Sequence, residues 1–520
     1  MSATIILVAA SICSYFLYHL FVLRAKYHGF KRLPGPKGYP LIGSILDFPK
    51  AFSYHKFTEW AAVYGPIYQV NILGATHVVI SDVNIANDML ALRGAHYSDR
   101  PVIVMLHDLV SGGGNLGSSP LNKYWRNARK LAAAQLSTVS LEGWGDMQIF
   151  EAARLVDDLV QDPDRYDYFF ERYSSVTMLQ IIYGKKVSRA EEEGHVKKIM
   201  TIVHTLERTG APGAYLVDFL PFLRYLPKSL AGFKREAEKL HNFEYSYFHG
   251  LVTEARERYI TEKPSNDGTR AVIYGYLDNE KNYDLSDFDL AYCLGTLFEG
   301  GSGTTSSTMQ SFCLAMWYYP EWQKKIQQEI DEVIGDRLPT FDDFPRLPTV
   351  RAAIKETLRW RPVVPGGIPH LSTKEGSFDG FFIPKGAIIH ANQYAMFKDE
   401  SIYPDAESYN PERWLDPKYP TFQAPLNQYP NIKRYASFGF GRRICPGFVV
   451  AERSLFIETT MLMWACSVTK KHDDDGAVIP VPWYEYKPGV NTGPKRFQFA
   501  VKIREEKRAQ MLRKACQEQY

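Results

Sequence analysis

The chain has 520 residues, of which 45% are hydrophobic and 23% charged, a globular composition that excludes intrinsic disorder. The formal net charge of +3 is nearly neutral for this length, so the charge balance gives no reason to expect a nucleic-acid partner. Six cysteines without CxxC spacing fit a reducing compartment better than a disulfide framework. We find no linker or internal repeat, and therefore expect one large domain over residues 45–505.

The first segment, residues 1–28, predicts a membrane anchor. Residues 3–23 contain no Lys, Arg, Asp or Glu, and this length is enough to cross a bilayer as a helix. Basic residues follow directly, at Arg24, Lys26, Lys31 and Arg32. By the positive-inside rule they place the body of the protein in the cytoplasm. A cleaved signal peptide is the alternative, but its basic residues would precede the apolar run and a small-residue cleavage site would close it.

A Pro-rich hinge over residues 29–44 leads into a body that reads as mainly α with a small β subdomain. Prolines and glycines exclude a helix in the hinge. Helical periodicity is clearest over 121–136, 151–183, 286–319, 321–334 and 348–359, with another helix after Pro446. Strand-like pieces fall at 66–81, 378–391 and 480–501. We predict that residues 506–520 form a solvated charged tail.

The longest predicted helix, 286–319, carries an unexpected run of glycines. It opens with a capping box over Ser286–Asp289, in which aspartate replaces the usual glutamate. At its centre stands FEGGSGTTSS, Phe298–Ser307. Each of its three glycines should weaken the helix by roughly 1 kcal/mol relative to alanine. Tight packing between helices is one explanation for them, and space for a ligand is the other.

A second unusual segment, FGFGRRICPG, spans Phe438–Gly447. Three glycines and a proline surround Cys445, and an apolar helix follows. Glycines allow close approach and unusual dihedral angles, while free backbone N–H groups and a helix N-terminus favour a charged sulfur. Arg443 offers a cation to an anionic ligand group. The segment therefore predicts a thiolate beside a large planar ligand, whereas the other five cysteines read as small buried hydrophobes.

This cysteine segment is similar to the haem-binding signature of the cytochrome P450 family, the haem-thiolate monooxygenases. The resemblance implies that Cys445 is the metal ligand of haem b, and that Phe438, Gly439 and Arg443 lie around the cofactor. Thiolate ligation in this family favours O–O cleavage. The resemblance covers nearly the whole chain. It implies the cytochrome P450 fold, mainly α with a small β subdomain, behind an N-terminal transmembrane helix.

Separate motifs carry the same resemblance. KETLRW and YNPERW match a structural triad beneath the haem, which here would be Glu356, Arg359 and Arg413. A buried network of this kind fixes geometry more than it adds stability. YWRNARK and GGIPH match contacts to the haem propionates, which would come from Trp125, Arg129 and His370, together with Arg443. Cationic donors from separate segments would offset the cost of desolvating two propionates.

In this family the long helix crosses the distal face of the haem with the pattern Ala/Gly-Gly-x-Asp/Glu-Thr. GGSGTT then implies that Gly300 and Gly301 let the backbone bulge aside and leave room for dioxygen. Thr304 would hydrogen-bond the dioxygen and help relay two protons. Gly303 departs from the pattern, because it stands where the family has an acid. Glu299 is the catalytic candidate that could feed a water chain instead, although it could equally point elsewhere.

The resemblance implies a monooxygenase that hydroxylates or otherwise oxidises a small apolar substrate. Electrons would come from NADPH through the separate NADPH-cytochrome P450 reductase, with cytochrome b5 as a further donor, because the sequence has no flavin or dinucleotide motif. The anchor implies a single-pass protein of the endoplasmic reticulum membrane whose catalytic domain faces the cytoplasm. Two alternatives stay open. One is a haem-thiolate isomerase, dehydratase or peroxide-using enzyme, which Gly303 favours, and the other is a non-catalytic haem sensor or electron carrier.

The substrate is inferred by analogy. YSDRP, RWRPVVPGGIPH and PERWLD resemble microsomal fungal members that act on secondary metabolites, many of them aromatic or polyketide-derived. By family position an apolar pocket would be lined by Val104, Leu294, Phe298, Val363, Val364 and Val490, which suits a neutral ligand. The segment SGGGNLGSSP, Ser111–Pro120, reads as a mobile flap, since no Lys-Ser/Thr pair follows its glycines as a phosphate loop requires.

Overall fold

The computed structural model of the chain describes residues 29–49, 51–211, 213–262 and 270–517, together with Ser14. The predicted membrane anchor, residues 1–28, lies outside this part of the chain except for Ser14, and it stays a prediction. Among the helices of the described part, none is both long and apolar enough to span a membrane.

Helices dominate the fold, as the sequence predicted. The α-helices of five or more residues are α1 (Ser53–Tyr64), α2 (Lys123–Gln135), α3 (Thr138–Glu142), α4 (Gly145–Gln161), α5 (Tyr166–Tyr183), α6 (Arg189–Thr209), α7 (Gly232–Glu262), α8 (Val272–Leu277), α9 (Asp287–Tyr318), α10 (Pro320–Val333), α11 (Pro348–Trp360), α12 (Phe448–Ala465) and α13 (Glu506–Gln517). Four-residue α-helices lie at Val83–Ala86, Gly94–Tyr97, Leu216–Phe219 and Gln393–Met396, and π-helical turns at Asn87–Leu92 and Val104–Val110.

The strands form small sheets at the edge of the helical body. They are β1 (Ile67–Ile72), β2 (Ala75–Ile80), β3 (His370–Leu371), β4 (Gly376–Phe378), β5 (Phe381–Ile383), β6 (Ile388–Ala391), β7 (Cys466–Lys470) and β8 (Phe499–Ile503). The largest sheet has the order β1-β2-β6-β3, in which β2 and β6 are parallel and the other neighbours antiparallel. β4 pairs with β5, and β7 with β8. The predicted small β component is confirmed.

Helix α9 is the axis of the fold. Its length of ~50 Å follows from a rise of ~1.5 Å per residue, and it packs against α5, α6, α7 and α12. The predicted capping box is present, because Asp289 N–H donates to Ser286 Oγ at 3.1 Å and Ser286 N–H donates to the Asp289 carboxylate at 3.2 Å. The helix ends at Tyr318, since Pro320 cannot continue it and instead begins α10.

Two predicted elements differ in the structure. The single helix predicted over 151–183 is two helices, α4 and α5, separated by the 3-10 turn Pro163–Arg165. Proline disfavours helical geometry in the residue before it, and Asp162 accordingly has φ −143° and ψ 76°. Of the predicted strand region 480–501, only the last residues belong to β8. Its partner β7 was not predicted, because it directly follows the apolar helix α12 and reads as part of the same apolar segment.

The hinge and the C-terminal segment both pack against the body of the protein more closely than the sequence predicted. The hinge is not helical in its described residues 29–44, and Pro34 accepts a hydrogen bond from Gln69 N–H at 2.8 Å. The prediction of a solvated tail over 506–520 is wrong for its described residues, because α13 packs on α4. Leu512 lies in the main hydrophobic core, and Arg508 binds Asp331 at 2.9 Å. The abundant charges of this segment concealed its narrow apolar stripe.

Replacing Leu512 by alanine should lower the free energy of unfolding by about 2–4 kcal/mol, because it empties a buried site. The midpoint of thermal unfolding measures this loss. Arg513→Ala is the matched control in the same helix. Its half-exposed side chain pairs with Glu506 at the surface, so its effect should stay within about 0.5 kcal/mol. Equally small effects of both substitutions would restore the interpretation as a solvated tail.

Candidate active site

The loop that carries Cys445 is fixed by its own backbone. The Cys445 N–H donates to the Phe438 carbonyl at 2.8 Å, at the end of the 3-10 turn Ala436–Phe438. Burial raises the pKa of the Cys445 thiol, while a hydrogen bond from the Gly447 backbone and the charge of Arg129 lower it. A metal ion at the sulfur would reverse this balance, because a coordinating thiol loses its proton.

Two glycines of this loop have conformations that other residues rarely adopt. Gly439 has φ 80° and ψ −165°, and Gly441 has φ 57°. A Cβ on Gly441 would also collide with the Leu90 carbonyl. The glycines therefore let the cysteine loop approach the π-helical turn Asn87–Leu92.

Three arginine side chains from separate segments converge beside the loop. Arg129 on α2 and Arg443 in the loop each donate to a backbone carbonyl at 2.7 Å. Arg100 donates to the carbonyls of Ile368 and Pro369 at 2.7 and 2.6 Å. The sequence identified the first two and missed Arg100. It lies in the segment YSDRP, but a loop arginine has no periodicity that would single it out.

These cations repel one another. Burial, followed by the charges of Arg443 and Arg129, holds the pKa of Arg100 well below its usual range. Burial also lowers the pKa of Arg443 to about 10, although Asp99 opposes the shift. Within the described residues, Nη1 of Arg443 is buried without a hydrogen-bond partner. Buried cations in this number need further negative charge, so the site fits a ligand that carries more than one anionic group.

Trp125 and His370 lie against the arginines, as the motifs implied. The Arg443 guanidinium lies 4.3 Å from the centroid of the Trp125 ring, a cation–π contact. His370 Nδ1 donates to the Tyr97 carbonyl at 2.7 Å. Burial and then the charge of Arg100 lower the pKa of His370 to about 3. The imidazole is therefore neutral at physiological pH in these surroundings.

Glu356, Arg359 and Arg413 form a fully buried network, which is the arrangement that the motifs implied. Arg359 Nε and Nη2 donate to the two carboxylate oxygens of Glu356 at 2.9 and 2.7 Å. Arg413 Nε donates to the same carboxylate at 3.3 Å, and Trp414 Nε1 at 3.1 Å. The network also steadies the cysteine loop, since the same helix, α11, accepts a hydrogen bond from Ser437 Oγ at 3.1 Å.

The glycines of α9 have separate roles. The helix remains regular through GGSGTT and does not bulge, contrary to the expectation. A Cβ on Gly301 would collide with Met178 of α5, so this glycine permits tight helix packing. A Cβ on Gly300 would meet no other element within 4 Å in the described part of the chain. Gly300 is exposed although Glu299 beside it is buried. Thr304 is half-buried one turn on, and its Oγ1 donates to the Gly300 carbonyl at 2.8 Å.

Glu299 lies in a buried polar group beside this open face. It accepts a hydrogen bond from Asn115 Nδ2 at 3.3 Å. Burial and then the charge of Glu244 hold the pKa of Glu299 well above its usual range, and burial raises the pKa of Glu244 to about 8. Burial therefore favours the protonated form of both carboxyl groups. The sequence missed Asn115 and Glu244, since they belong to a loop and a different helix.

The glycine-rich segment Ser111–Pro120, predicted as a mobile flap, is packed against α9. Asn115 Oδ1 accepts a hydrogen bond from Ser118 N–H at 3.1 Å, and Ser119 Oγ donates to the Asn115 carbonyl at 2.9 Å. A Cβ on Gly114 would collide with the Tyr292 ring. The glycines therefore serve a close approach to the helix.

The residues predicted to line a substrate pocket fall into two groups. Phe298 is fully buried, and its ring packs on Tyr183 and Tyr247 at centroid distances of 5.9 and 6.3 Å. At ~100° per residue this is the side of α9 opposite Gly300. Leu294 shares that core cluster, and the assignment of both residues to a substrate pocket stays a prediction. Of the remaining four, Val104 and Val363 are buried, and Val364 and Val490 are half-buried.

A thiol-bearing loop with three arginines beside it, in a mainly helical fold, fits a protein that holds a large anionic cofactor. The family model for cytochrome P450 matches residues 33–501. A cytochrome P450 monooxygenase of Armillaria gallica is 36% identical over 452 residues, covering 86% of this chain and 85% of the relative. Cytochrome P450 monooxygenase 253 of Postia placenta is 32% identical over 484 residues, covering 92% and 90%.

A solved zebrafish cytochrome P450, described as a structure with abiraterone, has a TM-score of 0.68 and 20% identity. It covers 87% of this chain and 100% of its own, and supports the fold. The chain belongs to the cytochrome P450 family.

Proteins of this family hold haem through a cysteine thiolate and receive electrons from a reductase. The site fits that cofactor. The unpaired Nη1 of Arg443 and the mutually repelling arginines match a ligand that carries two propionates, and Cys445 is the thiol in the loop beside them.

Replacing Glu356 by glutamine should lower the free energy of unfolding by about 3–5 kcal/mol, because two buried guanidinium groups lose their counter-charge. Thermal unfolding and the haem content of the purified protein measure the change. Glu412→Gln is the control, since Glu412 pairs with Lys325 at the surface at 3.0 Å, where an ion pair contributes at most about 1 kcal/mol. Normal stability and haem content in Glu356→Gln would contradict a structural role for the network.

Proposed function

We propose that the protein inserts one atom of dioxygen into a small apolar secondary metabolite, aromatic or polyketide-derived, with electrons from NADPH through NADPH-cytochrome P450 reductase. The observation that carries the proposal is the open stretch of α9. Gly300 leaves space in a helix whose other faces are buried, and the Thr304 hydroxyl borders that space. A haem sensor or electron carrier has no need of such a stretch.

The chain's own residues would hold the cofactor and handle protons. Bound haem with its Cys445 thiolate supplies the activation of dioxygen and the oxygen transfer. Arg100, Arg129 and Arg443 would pair with the propionates. The Thr304 hydroxyl donates to the Gly300 carbonyl, which leaves its lone pairs free to accept from water. Rotation of that hydroxyl then passes a proton into the space beside Gly300.

The electrostatics around α9 support a neutral substrate. Burial raises the pKa values of Glu299 and Glu244 and so favours their protonated, uncharged forms. A protonated carboxyl group donates a hydrogen bond, and the Asn115 amide both donates and accepts. These groups suit a neutral metabolite with hydroxyl or carbonyl oxygens better than an anion.

The proposed location is the endoplasmic reticulum membrane, with the catalytic domain facing the cytoplasm and the predicted anchor crossing once. Exposed apolar side chains support a membrane-facing surface. Leu216, Phe222 and Leu230 are 71%, 63% and 75% exposed. Phe219 in the same stretch packs against the same small core cluster as Phe48, which is close in sequence to the hinge. An apolar patch of this kind marks an interaction surface.

The test of the proposed function uses labelled dioxygen. Membranes that carry the protein and the reductase receive NADPH, ¹⁸O₂ and a metabolite extract of the host, and mass spectrometry finds the products. A product with one labelled oxygen is expected, and the Cys445→Ala variant should form none. A transformed metabolite without label, or one formed without NADPH, would favour the isomerase or peroxide-using alternative instead.

Replacing Thr304 by valine should raise the peroxide released per NADPH consumed several-fold, because the proton relay loses its hydroxyl. Thr308→Val is the matched control one turn further along α9. Its hydroxyl donates to the Thr304 carbonyl at 2.9 Å and is buried. Peroxide yields that remain unchanged in Thr304→Val would remove this residue from the relay.

Deleting residues 1–28 should leave part of the protein on membranes, because the exposed apolar surface remains. Adding Leu216→Asp, Phe222→Asp and Leu230→Asp should release it, since charged side chains are costly to place in the membrane interior. Sedimentation with vesicles measures the bound fraction. The control adds Ile260→Asp, which alters an equally exposed residue (73%) at the end of α7. Full release by the deletion alone would contradict a second membrane contact.

A further inference from the structure

The family's usual acid in α9 is replaced by Gly303, and the structure shows what occupies its surroundings. A Cβ on Gly303 would lie 2.9 Å from Val203 of α6 and 3.2 Å from Asn491 Nδ2. An acidic side chain at this position would collide with both. The missing Cβ therefore leaves room for the Asn491 amide, which approaches from the turn between Tyr486 and Pro494.

Asn491 connects this gap to a carboxyl group. Its Nδ2 donates to Glu207 Oε1 at 3.0 Å, so Oε2 is left to carry a proton. Its Oδ1 is buried and has no hydrogen-bond partner among the described residues. A buried amide oxygen normally accepts a hydrogen bond, and a water molecule could donate it here. The Glu207 carboxyl group of α6 is thus linked through Asn491 to Gly303, the position at which the family has an acid on α9.

A small polar cavity joins these groups to the surface. It has a volume of about 20 Å³, room for one water molecule. Its lining includes Glu171, Glu207, Gly303, Ser307, Lys487 and Asn491. Lys487 is exposed, so the outer end of the cavity faces solvent. Its inner wall is the α9 surface at Gly303, the residue that precedes Thr304 in the helix.

We propose that Glu207 supplies protons to the dioxygen site, through a water molecule oriented by Asn491 in the gap at Gly303. This inference rests on the proposed monooxygenase function. The Glu207 carboxyl group gives its proton to the water, which passes a proton towards the Thr304 hydroxyl. The carboxylate then takes a proton from solvent at the Lys487 end. One proton enters from solvent for each one delivered, and no electron moves in this step.

The charges around Glu207 suit a shuttle. Burial raises its pKa to about 7, against smaller opposing effects of the Asn491 hydrogen bond and of Lys487. Glu171 on α5 and Glu299 on α9 also face it, as does His204 on its own helix. Glu207 is protonated below about pH 7 and loses its proton above that value. Proton delivery should therefore decline as pH rises from 7 to 9.

The experiment follows dioxygen itself, so it needs no identified substrate. Purified holoprotein and reductase consume NADPH in vesicles, and the fraction of electrons that ends in water instead of peroxide is measured from pH 6 to 9. Forming water requires the delivered protons. Glu207→Gln should lower the water fraction at least fivefold at pH 7 and abolish its decline at higher pH. Asn491→Leu should lower it as well, since the carboxyl group remains but the bridge is lost.

Glu171→Gln is the matched control, because Glu171 lines the same cavity and burial raises its pKa to about 7 too. The substitution leaves the hydrogen bond between Asn491 and Glu207 in place, so the water fraction at pH 7 should match that of the unaltered protein. An infrared difference spectrum of unaltered protein against Glu207→Gln gives an independent measurement. It should show a carboxylic C=O band that shifts in D₂O and titrates near pH 7.

Two results would overturn the inference while the proposed function stands. One is a normal water fraction and pH profile in Glu207→Gln, and the other is an equal loss in Glu171→Gln. Failure of the unaltered protein to reduce dioxygen with NADPH would overturn both.

Discussion

The structure depends on an imbalance of charge beside Cys445. Arg100 and Arg443 are buried and Arg129 is half-buried, and the charge of Asp99 offsets them only in part. Moving such cations out of water costs several kcal/mol each unless they are paired. Their backbone bonds tie together loops that are far apart in sequence, so the ligand that neutralises them also holds the cysteine loop in place. Cofactor binding and folding are linked for this reason.

Helix α9 is buried along most of its length and yet has one open stretch, and its three glycines make this combination possible. Gly301 lets α5 approach, Gly303 makes room for Asn491, and Gly300 alone of the three lies open. The helix remains regular because α5, α6, α7 and α12 pack against it. The three glycines cost roughly 1 kcal/mol each in helix stability, and they permit two tight packing contacts and one open stretch.

The sequence predicted what local patterns encode. The capping box of α9, the cysteine loop and the Glu356 network depend on short motifs, and the structure shows each in place. Prediction from the sequence was wrong where packing between distant parts of the chain determines the structure. The docking of α13 and the role of the 111–120 glycines both depend on which element approaches from elsewhere in the chain. Arg100 and Glu207 were missed because neither stands in a periodic or recognised pattern.

We infer that the two carboxylates of haem neutralise the cluster of Arg100, Arg129 and Arg443. The most direct test compares the rates at which haem and its dimethyl ester leave the same protein for an excess of apomyoglobin. Esterification removes both negative charges of the ligand and leaves the polypeptide itself unaltered. The ester should leave at least about a hundredfold faster, which corresponds to about 2.7 kcal/mol for the two charges. Equal rates would show that the arginines do not hold the propionates.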